Sequence, residues 1–268
     1  RKEVSVMKTF ALVSRQDATS EKLAKHIRTV LREHMQYDAN RPDLVISIGG
    51  DGTMLEACHR HAASLDHSCF VGLHTGTLGF YTNYAADECD LLLEDILTKT
   101  PEQTERSLLD VYLNERWVDI ALNEMRVEEN RFTMVLDVYL KDYFFERFRG
   151  NGICVCTPAG STGYNRSLGG SIVCAGLRSM QLSEVAGIHH NQFRSLQSSL
   201  VLDDSFTVTL IPRASRHAIL GIDRDVYEIS QGDTVKVSIS NRSMKFANYR
   251  PIPLSQRLRR SFINDDQW

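Results

Sequence analysis

The sequence predicts an α/β domain, then a mostly-β domain, and a C-terminal segment that packs back on the first domain. Three observations support this fold class. Apolar strand-like segments alternate with amphipathic helical segments up to about residue 100, and the helical period disappears beyond Pro101. The last segment is basic early and then carries apolar side chains. With 268 residues the chain is long enough for two ordinary domains, which we place at 1–100 and 101–245, followed by 246–268.

The first domain has a regular alternation of strands and helices. The helix that precedes the glycine-rich stretch is expected to be capped by Thr19 or Ser20. Such alternation predicts a parallel, doubly wound half-sheet with right-handed crossovers. The predicted strands cover 9–14, 44–48 and 69–73, and the predicted helices cover 20–34, 53–63 and 88–97.

The second domain contains short apolar runs that are separated by turn-forming residues. Asn114, Lys141-Asp142 and Gly232-Asp233 mark three of the turns. We expect strands at 111–113, 117–122, 126–128, 133–140, 143–148, 153–156, 200–211, 218–222, 227–229 and 234–239.

Composition restricts the classes of partner. Net charge is −3 with both signs interspersed, so we expect neither a nucleic-acid surface nor a membrane-binding basic patch. No apolar run approaches the roughly 20 residues that cross a bilayer, and no signal-peptide pattern opens the chain. Arg1 is not an initiator, so residues 1–6 are interpreted as a remnant or a trimmed end, with Met7 as a candidate native start. The six cysteines lack paired C-x-x-C spacing, which favours reduced thiols in a cytoplasmic protein.

One stretch combines a buried strand, a glycine turn and the start of a helix. Gly49, Gly50 and Gly52 surround Asp51 after the strand 44–48. Such turns present backbone amides to phosphates, and glycine lets the backbone approach a ligand. A carboxylate there repels phosphate unless it binds a metal ion or accepts a proton from a reacting hydroxyl. The alternative is a tight turn in which Asp51 caps the following helix.

A second glycine-bearing loop follows the next strand. It reads His74-Thr75-Gly76-Thr77-Leu78-Gly79-Phe80. Because parallel strands end at one edge of a sheet, both loops are expected to face a shared ligand crevice.

Asn123 and Glu124 form a polar pair inside an apolar region. An amide can donate and accept, and a carboxylate can accept from ribose hydroxyls, so the pair suits a nucleoside. Consecutive strand residues face opposite sides, so a bend is implied if both touch one ligand. The alternative is a hairpin end with solvated polar residues.

The stretch 156–170 combines small and hydroxyl residues with the start of a predicted helix. Ser161 and Thr162 are expected in its first turn, where hydroxyls and unpaired amides suit phosphate or ribose. Tyr164 is placed to stack on a base or a nicotinamide ring. The alternative is a Ser/Thr cap followed by a buried helix.

Taken in order, these motifs resemble the NAD kinases, which phosphorylate the 2′-hydroxyl of the adenosine ribose of NAD. The glycine motif around Asp51 also resembles lipid kinases and phosphofructokinases, whereas the Asn123-Glu124 pair and the stretch 157–170 narrow the resemblance to NAD kinase. It covers about residues 9–265. The run 145–150 and the tail 250–262 look most like enzymes of Gram-positive bacteria.

The resemblance implies a role for each motif. Asp51 would activate the ribose hydroxyl, Phe80 would line the adenosine pocket, and Tyr164 would hold the second nucleotide half. The implied nucleotide-binding positions are Gly50, Gly52, Thr53, Leu55, Phe80, Asn123, Glu124, Arg149, Asn151, Ser161, Thr162, Gly163, Tyr164, Asn165, Ser167, Ala186 and Asp223.

The resemblance also implies the setting of the reaction. It implies that the mostly-β domain is a β-sandwich, that ATP is the donor, and that Mg²⁺ arrives with ATP without a fixed protein ligand. It further implies a cytoplasmic homo-oligomer, a dimer or a tetramer. It leaves open whether polyphosphate replaces ATP, whether NADH is accepted, and whether NADP inhibits.

Four positions depart from the pattern of the resembled family. Asn151 stands where many members have Asp, Ala159 where Thr is usual, and Gly163 where Ala is usual. Arg224 follows Asp223 where a small or polar residue is usual.

Three other classes of function agree less well with the sequence than NAD kinase does. A lipid kinase would need an apolar or basic membrane-facing patch, which the sequence lacks. A catalytically weak NAD-binding regulator would not need Asp51. A NAD-using oxidoreductase is disfavoured because the glycines do not match G-x-G-x-x-G.

Overall fold

The computed structural model describes residues 7–191 and 193–263, so the interpretation of residues 1–6 lies outside the described residues. The chain divides into two units. The first unit combines the residues up to Glu105 with those from Met244 onward, and the second unit is Arg106–Ser243. No helix in these described ranges is long and apolar enough to cross a bilayer.

The first unit is built on a parallel sheet with the strand order β2-β1-β3-β4, and a short strand β5 pairs with the end of β4. The prediction of a parallel sheet with intervening helices is therefore confirmed. Its elements are β1 (Thr9–Ser14), α1 (Ala18–Leu31), β2 (Gln36–Tyr37), β3 (Leu44–Gly49), α2 (Asp51–Arg60), β4 (Cys69–His74), β5 (Tyr84–Ala85) and α3 (Cys89–Thr98).

Burial explains why β3 and α1 form where they do. Every residue of β3 is buried, as expected for a central strand covered on both faces. In α1 the residues Ala24, Ile27 and Leu31 are buried at helical spacing. The predicted cap of this helix was wrong: the carboxylate of Asp17 accepts hydrogen bonds from the amides of Thr19 and Ser20, both at 3.1 Å. The prediction from the hydroxyls of Thr19 and Ser20 overlooked the carboxylate of Asp17, which lies one residue before the helix.

The second unit contains two sheets that enclose one core, as a β-sandwich does. One sheet has the antiparallel order β13-β12-β11-β8-β15-β16; the other contains β10-β9-β14-β17 and the β6–β7 hairpin. The elements are β6 (Glu102–Leu113), β7 (Arg116–Ala121), β8 (Glu124–Glu128), β9 (Met134–Leu140), β10 (Tyr143–Gly150), β11 (Gly152–Cys156), α4 (Tyr164–Ser167), β12 (Ser179–Val185), β13 (Leu200–Asp203), β14 (Thr207–Ala214), β15 (Ile219–Ile222), β16 (Asp225–Glu228) and β17 (Val235–Asn248).

Two features of the second unit differ from the sequence-based strands. The predicted strand 200–211 is two strands, since Asp204, Ser205 and Phe206 separate them at a turn in which the amide of Ser205 donates to the side chain of Asp203. The sequence did not predict β12, because Gln181, Ser183 and Glu184 interrupt its apolar pattern.

The C-terminal segment belongs to the first unit, as predicted. The end of β17 pairs in parallel with β4, and the helix α5 (Leu254–Phe262) follows. Arg250 is anchored between them by Asp95, whose side chain is fully buried and also accepts from the hydroxyl of Tyr84 at 2.7 Å. Burial raises the pKa of Asp95, but the hydrogen bonds from Arg250, Lys99 and Tyr84 outweigh it and hold that pKa well below its usual range.

Candidate active site

Asp51 is held by the loop that follows β4. Its Oδ2 accepts a hydrogen bond from the amide of Phe80 at 2.8 Å, and its Oδ1 accepts from the amide of Tyr81 at 3.1 Å. The alternative in which Asp51 caps its own helix was wrong, because Gly50 is the N-cap of α2 and no side chain caps it. The two glycine loops therefore meet at one carboxylate. Each oxygen of that carboxylate has a further lone pair beyond the amide that it binds.

The glycines around Asp51 differ in whether the protein leaves room for a side chain. A Cβ atom on Gly79 would lie 2.1 Å from Oδ1 of Asp51, so the carboxylate needs glycine there. A Cβ on Gly50 or Gly52 would meet nothing within 4 Å. The protein itself does not crowd those two positions, so space for a ligand remains beside their backbone.

The other predicted site residues of the first unit differ in how far they are buried. Thr53 and Leu55 are buried on α2, with 5% and 8% of their surface exposed. Phe80 is half-buried, and its ring lies 5.6 Å, between centroids, from the ring of Phe262 on α5. That Thr53, Leu55 and Phe80 contact a nucleotide stays a prediction.

In the second unit, Asn123 and Glu124 are fixed by a backbone clamp. The carboxylate of Asp223 accepts from the amides of Leu122 and Asn123, both at 2.8 Å, and from that of Glu124 at 3.1 Å. Across the segment, the hydroxyl of Thr157 donates to the carbonyl of Leu122 at 2.6 Å. Leu122 and Asn123 lie between β7 and β8. The strand is therefore interrupted just before Glu124, at the place where contact of both side chains with one ligand would need a bend.

Glu124 begins a row of alternating charges on one face of β8. Arg126 contacts Glu124 at 3.2 Å through Nη1 and Glu128 at 3.1 Å through Nε. The guanidinium also lies 5.5 Å from the ring centroid of Tyr164, whose hydroxyl is hydrogen-bonded to Glu128. Sequence reasoning missed Arg126 and Glu128. The spacing of two residues from Glu124 is the signal that would have placed them on its face.

One oxygen of Glu124 is buried without a hydrogen-bond partner among the described residues. This is Oε2, and a Cβ atom on Gly163 would lie 3.9 Å from it. Burial, followed by repulsion from Asp223, raises the pKa of Glu124 to about 7, although Arg126 acts in the opposite direction. Glu124 is only 6% exposed, which contradicts the alternative of a solvated hairpin end. A buried acceptor without a partner is costly, so this oxygen suits a ligand hydroxyl.

The stretch 157–170 forms a 3₁₀ turn followed by a short helix. Ser161 and Thr162 lie in the turn Ala159–Thr162, not in the first turn of the predicted helix, because Gly163 separates the turn from the four-residue α4. A Cβ on Gly160 would lie 2.2 Å from the carbonyl oxygen of Asn123, so the turn packs closely against the Asn-Glu segment.

The polar side chains of this stretch fall into two groups. Ser161 and Asn165 are buried and already bonded internally: Ser161 donates to the carbonyl of Pro158 at 2.7 Å, and Asn165 accepts from Ser183 at 2.8 Å. Ser167 is exposed, and Thr162 and Tyr164 are half-buried; Gly163, which has no side chain, is exposed beside them. The first group braces the turn, and the second is the part that a ligand can reach. Direct nucleotide contact by any of them stays a prediction.

Arg149, Asn151 and Ala186 form a separate group. The amide of Asn151 donates to the carbonyl of Val185 at 2.9 Å, which brings Asn151 next to Ala186. Arg149 stacks its guanidinium on the ring of Phe193, 3.9 Å from the centroid. Asn151 precedes β11 and Thr157 follows it, and the five residues of β11 span about 13 Å. This group therefore lies at the opposite end of β11 from Asn123.

The chain was compared with protein families and with known proteins. A family model described as the ATP-NAD kinase N-terminal domain matches residues 1–100, and one described as the ATP-NAD kinase C-terminal domain matches residues 122–249. An NAD kinase of Geobacillus stearothermophilus is 41% identical over 263 residues, covering 96% of this chain and 97% of that protein.

The chain belongs to the NAD kinase family. A second relative, an NAD kinase of Staphylococcus carnosus, is 37% identical over 264 residues and covers 96% of this chain and 98% of its own length. The resemblance to NAD kinases of Gram-positive bacteria is thus confirmed, and neither the lipid-kinase nor the regulator alternative is favoured.

Solved structures of NAD kinases share the fold. A yeast NADH kinase complexed with NADH has a TM-score of 0.85 at 16% identity, covering 98% of this chain and 89% of that one. An NAD kinase from Archaeoglobus fulgidus in complex with ATP has a TM-score of 0.72 at 20% identity, covering 90% and 94%. At these identities the likeness establishes the fold.

Proposed function

We propose that this NAD kinase transfers the γ-phosphoryl group of ATP to the 2′-hydroxyl of the adenosine ribose of NAD, giving NADP, with Asp51 as the base. The observation that carries the proposal is the orientation of the Asp51 carboxylate by the amides of Phe80 and Tyr81. Phosphoryl transfer depends mainly on alignment of the reactants and neutralisation of charge. The hydroxyl must also lose its proton, and one carboxylate within hydrogen-bond reach can accept it.

The dinucleotide is proposed to bind through the residues of the second unit that surround the unpartnered oxygen of Glu124. Asn123 would bind the adenine edge, and Oε2 of Glu124 would accept from a ribose hydroxyl. Tyr164 would hold the second nucleotide half with Thr162 and Ser167. One face of the Tyr164 ring is covered by Arg126, so a ligand ring would stack on the other face.

Mg²⁺ is proposed to reach the site with ATP. The surroundings of Asp51 fit this assignment, because Mg²⁺ usually keeps several waters and is held in large part by substrate phosphates. Both oxygens of Asp51 bind amides, and the lone pair that each keeps is assigned to the ribose hydroxyl, so Asp51 would not be a fixed ligand of the ion. When bound, the ion would neutralise charge on the transferring phosphoryl group.

We also propose a cytoplasmic homo-oligomer, a dimer or a tetramer. All six cysteines of the chain are free and five are buried, which is typical of a reducing compartment. The proposal of an oligomer rests on membership of the NAD kinase family.

The experiment is an endpoint assay with ATP, Mg²⁺ and NAD, in which an NADP-specific dehydrogenase reports NADP. We expect NADP from the wild type and a loss of turnover of about 10²–10⁴-fold in Asp51→Asn, with NAD binding retained. Asp66→Asn, which removes an exposed carboxylate of the same unit, is the matched control.

Three outcomes would change the proposal. Turnover of Asp51→Asn equal to that of Asp66→Asn would reject Asp51 as the base. NADP with polyphosphate but not with ATP would change the donor alone. No NADP with either donor, despite NAD binding, would reject the kinase reaction.

A further inference from the structure

Arg257 is a buried arginine on a helix whose neighbouring side chains are mostly exposed. Only 8% of its surface is accessible, whereas Arg259 and Arg260 are exposed. Burying a guanidinium is costly unless its donors are satisfied by good acceptors.

Three hydrogen-bond acceptors of Arg257 lie in the loop that binds Asp51. Its Nη1 donates to the carbonyl oxygens of Gly79 and Thr82, both at 2.7 Å. Its Nη2 donates to the side-chain oxygen of Asn83. The carbonyl of Gly79 directly precedes Phe80 and that of Thr82 lies one residue beyond Tyr81, so one guanidinium holds the chain on both sides of that dipeptide.

The same dipeptide supplies the two amides that orient Asp51. With the carbonyls of Gly79 and Thr82 fixed, the peptide planes between them have little freedom to turn, and the amides of Phe80 and Tyr81 point at the carboxylate. A second contact from α5 acts on this loop, since the ring of Phe262 packs against that of Phe80. The loop also lies against Asp51 at Gly79, where no Cβ fits.

We propose that Arg257 is a positioning residue that aligns Asp51 through the Gly79–Asn83 loop. The proposal rests on the proposed function, in which Asp51 takes the proton of the ribose hydroxyl. In this proposal the C-terminal helix α5 contributes to catalysis although Arg257 does not contact the substrate. Loss of Arg257 would let the loop turn its amides away, and the carboxylate would lose its fixed direction.

An arginine suits this task better than a lysine. The planar guanidinium presents several donors in a fixed fork, whereas an ammonium on a flexible stem is a point charge. Arg257→Lys would keep the charge and bond one or two carbonyls without the fork. We therefore expect its effect to be intermediate between that of the wild type and that of Arg257→Ala.

The first test separates kcat from KM. We expect Arg257→Ala to lower kcat about 100-fold, because a displacement of about 1 Å in a catalytic group can cost that much, and to change the KM for NAD by less than about 3-fold. Arg260→Ala on the exposed side of the same helix is the matched control. Externally added guanidinium ion should restore part of the lost kcat in Arg257→Ala only. A folded Arg257→Ala with the kcat of Arg260→Ala would overturn the proposal.

A double-mutant cycle shows whether Arg257 acts through Asp51. In the Asp51→Asn background the further loss from Arg257→Ala should be less than about 3-fold, because the group that it positions is gone. Full additivity of the two losses would contradict the proposal. If Arg257→Ala does not fold, Arg257→Lys replaces it in the same cycle.

Hydrogen exchange tests the positioning without activity. The peptide that contains Phe80 and Tyr81 should exchange faster in Arg257→Ala and in Arg257→Lys than in Arg260→Ala, with the folding of each checked by its thermal midpoint. If the wild type made no NADP while exchange still rose, the reaction would be rejected and the positioning of the loop would stand. Unchanged exchange would refute the positioning, whatever the activity.

Discussion

Replacing Glu124 by Gln makes the stability of the protein respond differently to pH. Glu124 is 6% exposed, and its pKa is raised to about 7 by burial and by Asp223, against the attraction of Arg126. The groups that face it are Asp223, Arg126, Glu128, Cys154, Cys156 and Tyr164. Gln keeps the size and the acceptor of the side chain but cannot ionise.

The magnitude follows from the difference between the folded and unfolded pKa. Glu124 titrates near 4.5 when unfolded and near 7 when folded, a difference of about 3 kcal/mol in the free energy of unfolding. Between these two values the folded chain binds more protons than the unfolded chain. The contribution of Glu124 to stability is therefore greatest below pH 4.5, falls as the pH rises through 7, and is constant above.

The assay compares thermal midpoints of wild type and Glu124→Gln at pH 5 and pH 8. The midpoint of the variant relative to wild type should rise by about 6 °C between these pH values, since most of the 3 kcal/mol lies in that window. Glu228→Gln, at an exposed position of the same unit, is the matched loss of a carboxylate. A difference between Glu124→Gln and wild type that is the same at both pH values would refute the reasoning.

Two further substitutions test the site. Gly79→Ala should lower kcat at least about 10-fold with NAD binding retained, because its Cβ would lie 2.1 Å from Oδ1 of Asp51; wild-type kcat in steady-state assays would show that the loop can move away. Tyr164→Ala should weaken NAD binding by more than it lowers the kcat of the saturated enzyme, because it removes about 1–3 kcal/mol of stacking, whereas Tyr164→Phe keeps the ring. Equal affinities of wild type and Tyr164→Ala in calorimetry would count against stacking.

The sequence predicted those parts of the fold in which the apolar residues of a segment follow one clear strand or helix pattern. The strand β3 is apolar apart from Ser47 and is followed by glycine, so both this strand and the helix after it were predicted. The strand β12 was missed because its polar side chains bond within the protein: Gln181 donates to the carbonyl of Ser171, and Ser183 donates to Asn165. A polar residue satisfied by a distant partner has the same sequence pattern as a solvated one.

The same limit applies to the site. Asp51 was evident because its glycines are adjacent in sequence, but its amide donors are 29 and 30 residues away and Arg257 is 178 residues from Gly79. Such contacts depend on how a strand end and a C-terminal helix meet in space, which no local period records. Arg126 is different, because its spacing of two residues from Glu124 could have predicted from the sequence alone that the two side chains share a face of the strand.

Asn151 shows how a departure from a family pattern can have a structural reason. Asn151 stands where many members of the resembled family have Asp. In the structure its side-chain nitrogen donates to the carbonyl of Glu129 at 3.1 Å, and the backbone carbonyl of Asn151 accepts from the amide of Glu129 at 2.8 Å. An ionised carboxylate has no hydrogen to donate and would repel that carbonyl oxygen. The amide therefore joins the ends of β8 and β11 through a bond that an aspartate at this position would not donate.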